Sequence, residues 1–265
     1  MNNVFLFGLI YAWTAFLSCG TTEPPKELVP PFAGTIFIDR NIITSADPTT
    51  FQTIAYSGRG NRSMYDRRVN TWILNDAFLF IAKFSDGLQI EVQINPEFET
   101  DSLAKIEAKK YAVEVGRLPR ALRKDVQTMW IHRGNQPFGG GNNNILIHTG
   151  QAAAYIADGI LEETLVHEAS HTSLDSYHAQ SSGWLAAQSA DPQFISTYAR
   201  DNPMREDIAE SFLTYLAVRF RGERLSLGLK YKIQQAIPNR ISYFDALNLN
   251  MYPIVSNTEQ EQGGE

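Results

Sequence analysis

Five consecutive residues, His167-Glu168-Ala169-Ser170-His171, have the types and spacing to do chemistry. On an α-helix, side chains four positions apart share a face, with Cβ atoms about 5–6 Å apart. Two imidazoles in that relation can converge on one Zn2+ at about 2.0–2.1 Å. Glu168 lies about a third of a turn round from His167, so its carboxylate can miss the metal and still reach the water the metal holds. Zinc lowers the pKa of that water to about 7, and a neighbouring carboxylate can take its proton. Glu168 is therefore the candidate general base. By composition alone, such a pentapeptide arises by chance in under about one chain in a hundred of this length. The context suits an internal helix. Leu161, Leu165 and Val166 supply an apolar stripe, and Glu162 and Glu163 sit near the start, where the helix dipole favours acids.

A catalytic zinc usually takes three protein ligands and leaves one position for water, so a third donor is required. Asp175 is one candidate, but on a continuous helix it lies about 12 Å along the axis from His167. Both cannot bind one ion, and Asp175 reads better as a residue behind a ligand or at a helix end. His178 evokes H-E-x-x-H-x-x-G-x-x-H, yet Leu174 stands where that pattern needs glycine and His178 falls one residue late. The last candidates lie in Met204-Arg205-Glu206-Asp207-Ile208-Ala209-Glu210-Ser211-Phe212. Ile208, Phe212, Tyr215 and Leu216 form an apolar helix face, and Glu206 and Glu210 are i,i+4 neighbours close to it. Two carboxylates beside an apolar stripe are costly without a cation or hydrogen-bond donors. Zinc would supply the cation; a solvated acidic edge is the alternative.

Tyr198-Ala199-Arg200 followed by Glu206-Asp207-Ile208-Ala209-Glu210-Ser211-Phe212, downstream of H-E-x-x-H, resembles the catalytic domain of anthrax-lethal-factor-type gluzincins. That family carries Tyr-Gly-Arg and then Glu-Phe-Phe-Ala-Glu-Ala-Phe. The resemblance covers roughly residues 145–220, and the gap from Tyr198 to Glu206 is about one residue longer than the family's. It implies one Zn2+ per chain on His167, His171 and Glu206, with Glu210 orienting a ligand histidine. It implies that the Tyr198 hydroxyl hydrogen-bonds the developing oxyanion. The implied activity is zinc-dependent endopeptidase action on a peptide or protein substrate. In zincins the strand before the motif helix is typically a sheet edge that pairs with extended substrate, which would put Asn144 to His148 at an edge. His148 and His132 read as strand histidines with local hydrogen bonds. Two rivals stay open: an exported metal-binding module or pseudo-peptidase, and a zinc hydrolase of a non-peptide substrate.

The elements that must position these residues suggest an α+β fold, a zincin-like catalytic domain at 99–255 with a small β-rich subdomain at 34–98. Residues 35–38, 72–74, 78–81 and 88–94 read as strands, with Asp86-Gly87 as a hairpin turn before the last. Ser102 to Val115 reads as a helix with Leu103, Ile106, Tyr111 and Val115 near one face. Short strands at 128–132 and 145–148 flank a turn-rich loop at 138–144. That loop lacks the Gly-Lys-Ser/Thr ending of a phosphate loop and reads as a structural hairpin. Helical patterns follow at about 151–174, 191–198, 204–221 and 226–236.

A chain of 265 residues with 43% apolar content can bury one sizeable core. Its net charge of −6, with no basic block, argues against nucleic acid as a partner. Val4 to Leu17 is an uncharged apolar run, shorter than the roughly 20 residues a membrane span needs and suited to an export signal at 1–20. A Pro/Thr/Glu-rich linker at 21–33 and a disordered tail at 256–265 complete the expected organisation. Cys19 is the single cysteine, so no intramolecular disulfide can form. Two export readings compete: lipid attachment at Cys19 at the cell envelope, or cleavage beside Ser18 and Gly20 and free secretion.

Overall fold

The computed structural model describes residues 28–38 and 42–255. The expected export signal with Cys19, residues 21–27 of the expected linker and the tail at 256–265 lie outside the described residues. Among the described residues no helix is long and apolar enough to cross a membrane.

The architecture is α+β. The strands are β1 (Phe51–Asp66), β2 (Thr71–Phe84), β3 (Gln89–Ile94), β4 (Thr128–His132), β5 (Gly139–Gly141) and β6 (Asn144–His148). The helices are α1 (Asp101–Val115), α2 (Arg120–Arg123), α3 (Thr149–Ala157), α4 (Leu161–Ser173), α5 (Asp175–His178), α6 (Ser182–Ala190), α7 (Thr197–Asp201), α8 (Asp207–Phe220), α9 (Leu227–Ala236) and α10 (Pro238–Ala246). The strands form one mixed sheet in the order β1-β2-β3-β4-β6-β5. β1, β2 and β3 are antiparallel, β3, β4 and β6 are parallel, and β5 returns antiparallel on β6. The sheet runs across the expected boundary between 34–98 and 99–255, because Ile94 of β3 pairs with Ile131 of β4.

Both faces of the central strands are apolar, as in sheets covered on both sides. Phe78, Phe80, Met129, Ile131, Ile145 and Ile147 join the helices in the main core, whereas Leu79, Trp130 and Leu146 point the other way. The second face is covered by the chain's own hairpin. β3 pairs only with Phe78–Lys83 of β2; beyond that point β1 and β2 pair only with each other. A register shift between Tyr56 and Gly58, with Gly58 at φ 105°, bends the ladder there. Met64 and Ile73 then pack on Leu79, Trp130 and Leu146.

Several local expectations are corrected. Residues 35–38 form no strand; the Ile36 N–H donates to Glu210 Oε2 at 2.9 Å and the Ile38 N–H to Glu163 Oε2 at 2.6 Å. Buried carboxylates thus take the place of a neighbouring strand. The expected strands at 72–74 and 78–81 are parts of the single strand β2. On α1, Leu103 and Ile106 are exposed; the buried face is Ala104, Ala108, Tyr111, Ala112 and Val115, where the three alanines allow close approach to the sheet. The helix expected over 151–174 is broken at Gly159, which adopts φ 70°, a left-handed conformation cheap for glycine. The helix expected at 191–198 is replaced by α6 and α7 on either side of a non-helical stretch.

Candidate metal centre

α4 carries the H-E-x-x-H residues and is fixed against the sheet. Thr172 Oγ1 donates to the Asn144 carbonyl at 2.7 Å and accepts from the Gly141 N–H at 2.8 Å. At Gly140 the strand lies so close that a Cβ would sit 1.9 Å from the Glu168 carbonyl oxygen. The glycine run is therefore an edge strand pressed on the helix, rather than only a turn. The expectation that 144–148 forms the edge is corrected accordingly: β6 is interior, between β4 and β5, and β5 holds the edge.

His167 and His171 present their Nε2 atoms to each other at 3.1 Å. Glu206 Oε2 lies 3.4 Å from His167 Nε2 and 3.2 Å from His171 Nε2. For bonds of 2.0–2.1 Å to a tetrahedral zinc, ligand atoms stand about 3.3 Å apart. The three observed separations bracket that edge length, so the residues fit the ion, and a fourth corner remains for water or substrate. The other ring nitrogens are held from behind. His171 Nδ1 is 2.7 Å from Asp175 Oδ2. His167 Nδ1 is 3.3 Å from Glu210 Oε1, and neither atom has another partner among the described residues. An Nδ1–H directed at a carboxylate leaves the Nε2 lone pair for a metal. Glu210 is itself anchored, because its Oε2 accepts from Ser196 Oγ at 2.6 Å as well as from Ile36.

Without a cation the group is electrostatically loaded. Burial alone would push both imidazoles down. Glu206 and Glu210 beside His167, and Asp175 and Glu206 beside His171, outweigh it and raise them to about 9 and about 10. Burial opposes ionisation of Glu206, yet the two histidines hold its carboxyl well below the usual range. In the cation-free protein both rings are therefore held protonated beside Glu206, and a divalent ion would take the place of the two Nε2 protons.

Glu206 is the residue just ahead of α8, and its place depends on residues the sequence did not single out. Arg240 bonds Asp207 Oδ2 at 2.9 Å and Asp191 Oδ2 at 2.8 Å, with all three side chains fully buried. Gln188 adds a 2.9 Å bond to Asp207. The adjacency of Asp207 to Glu206 was the available signal; its partner lies far along the chain.

Glu168, half-buried, lines an open cavity of about 870 Å3 over the three donor atoms. Its carboxylate accepts no hydrogen bond among the described residues. Tyr198 also lines this cavity, from α7. Burial, with Glu206 nearby, pushes its hydroxyl up to about 12, so it remains a donor at neutral pH. His178 is not part of the group; its Nδ1 pairs with the Tyr243 hydroxyl at 2.8 Å. His132 and His148 are fully buried in the sheet, paired with Asn95 and the Arg133 carbonyl. No protein-family model, curated protein or solved structure matches the chain.

Proposed function

We propose that this protein is an exported, zinc-dependent endopeptidase of zincin-like architecture. The observation that carries the proposal is the triangle of His167 Nε2, His171 Nε2 and Glu206 Oε2, with sides of 3.1, 3.2 and 3.4 Å, next to the unpaired carboxylate of Glu168. Bound zinc would polarise the scissile carbonyl and make water a better nucleophile. Glu168 takes the proton from the attacking water and later delivers it to the leaving amine. Tyr198, protonated at neutral pH, donates to the oxygen that becomes negative. Asp175 and Glu210 hold the two imidazoles in the tautomer that leaves Nε2 free.

The openness of the cleft supports a polymeric substrate. The cavity over the donors and a second one meet at the edge strand β5, where both are lined by Arg67, Pro137, Gly140 and Gly141. An edge strand beside the reacting groups can hold an extended peptide by main-chain hydrogen bonds. Digestion of a peptide library by zinc-loaded protein, wild type beside Glu168→Ala, tests the reading. Wild type should cleave internal bonds, and Glu168→Ala should keep its zinc and lose about 10²- to 10⁴-fold in rate. Equal turnover by the two would remove Glu168 from the mechanism.

A further inference from the structure

We infer that the outer end of the β1–β2 hairpin forms a recognition subsite for an aromatic or large apolar side chain of an extended peptide, within about three residues of the bond cut. The inference deepens the peptidase reading and rests on it. A cavity of about 530 Å3 is bounded by Tyr65, Trp72, Trp130 and Leu146 on one side and by β5 on the other. Its floor is buried: Trp130 and Leu146 are 9% and 3% exposed, whereas Trp72 is 52% exposed.

The rings are fixed in place. Trp72 meets Trp130 edge-on at 5.1 Å between centroids and Tyr65 at 5.7 Å. The Tyr65 hydroxyl donates to Asn70 Oδ1 at 2.6 Å, across the turn that joins the two strands. An exposed aromatic surface that is already held still costs little ordering entropy when a ligand covers it. A further ring packed against it gains edge or offset stacking on top of area burial.

The location gives the ligand class. β5 pairs with β6 on one side and with no strand on the other among the described residues. It has no side chains to obstruct an added strand, and Gly140 fixes its position against Glu168. Gly140 and Gly141 line both this cavity and the one over the metal centre. An extended chain rises about 3.4 Å per residue, so the three residues of β5 correspond to about three of substrate. A peptide laid along β5 with its scissile bond at the donor triangle therefore brings one of its nearby side chains over Trp72. The hairpin end, which packs on the sheet face away from the helices, supplies the wall of this subsite.

Two measurements test this. In a library digest by zinc-loaded wild type, Phe, Tyr, Trp or Leu should be enriched at one fixed position no more than three residues from the cut. Trp72→Ala should lower kcat/KM for a Phe peptide about tenfold or more, against a smaller change for the same peptide with Ala at that position, and Trp72→Phe should restore the preference. Separately, zinc-loaded Glu168→Gln, titrated with the uncleaved peptides and read by tryptophan fluorescence, should bind the Phe peptide about tenfold tighter than the Ala peptide. Cleavage without a positional preference, or equal loss for both peptides in Trp72→Ala, overturns the subsite and leaves the peptidase reading standing. Binding preference without any cleavage by wild type removes the peptidase reading and, with it, the subsite's place beside a cut bond, leaving only an aromatic peptide-binding site at the hairpin end. A chito-oligosaccharide that displaces the Phe peptide from Glu168→Gln would show a carbohydrate site and overturn the assignment to peptide.

Discussion

Two pairs of neighbouring histidines lie in this molecule, one edge-on at 82° a helical turn apart and one stacked at 29° across two strands, and they are surrounded differently. His167 and His171 have ring centroids 4.8 Å apart, and His132 and His148 have theirs 5.4 Å apart. The first pair faces the carboxylates of Glu206, Glu210 and Asp175. The second faces the Asn95 amide and the Arg133 carbonyl. Asp66 approaches His132 only to 4.0 Å and is committed to Arg68 at 2.7 Å. The first pair is raised to about 9 and about 10 despite burial, while burial lowers His132 to about 4. Two neighbouring imidazoles do not make a metal site by themselves. The carboxylates that orient them and complete the ligand set decide which pair can hold a cation.

The same substitution in each pair should have unlike consequences. His171→Gln should abolish stoichiometric zinc retention after dialysis, whereas His132→Gln should keep zinc and lose only stability. Zinc analysis of both proteins reads the result, and equal retention would dissolve the distinction.

The pairs should also titrate with opposite sign in the zinc-free protein. His132 is neutral when folded and has its ordinary value of 6.5 when unfolded. Its contribution is therefore present above pH 6.5 and is lost as the pH falls through about 4, a change of about 3 kcal/mol. His167 and His171 act in reverse: their contribution is full below pH 6.5 and is lost as the pH rises through about 9 and about 10. Urea midpoints across this range, in chelator, should decline at both ends. In His132→Gln the acid decline should be shallower and the alkaline one unchanged.

The smallest effect is expected behind the ligands. Asp175→Asn keeps the shape of the side chain that faces His171 Nδ1 and removes its charge. Zinc affinity should weaken about 10- to 100-fold, measured by competition with a chelating dye. An unchanged affinity would make Asp175 a helix-end residue only.

The site was more legible in the sequence than its setting. His167, Glu168 and His171 share one helical segment, so their relation follows from helix geometry alone. Glu206 and Glu210 were visible as acids beside an apolar stripe, but choosing between them needed the family resemblance. The α+β class followed from the alternating and helical stretches. The segment 35–38 misled because a short apolar stretch marks an extended chain without naming its partner, and here the partners of Ile36 and Ile38 are Glu210 and Glu163. The edge strand at 139–141 was hidden because glycine carries no pattern; Arg67 packed at Gly139, the close approach of Gly140 to Glu168 and the positive φ of Gly141 account for the run. Arg240, which holds Asp207 and Asp191, lies in a helix with no motif, so nothing local pointed to it.

Zinc content of the purified protein, wild type beside Glu206→Gln, is the most direct test of the whole account. One zinc is expected per wild-type chain and none in Glu206→Gln, with the fold intact by circular dichroism. A full equivalent of zinc in Glu206→Gln would contradict it.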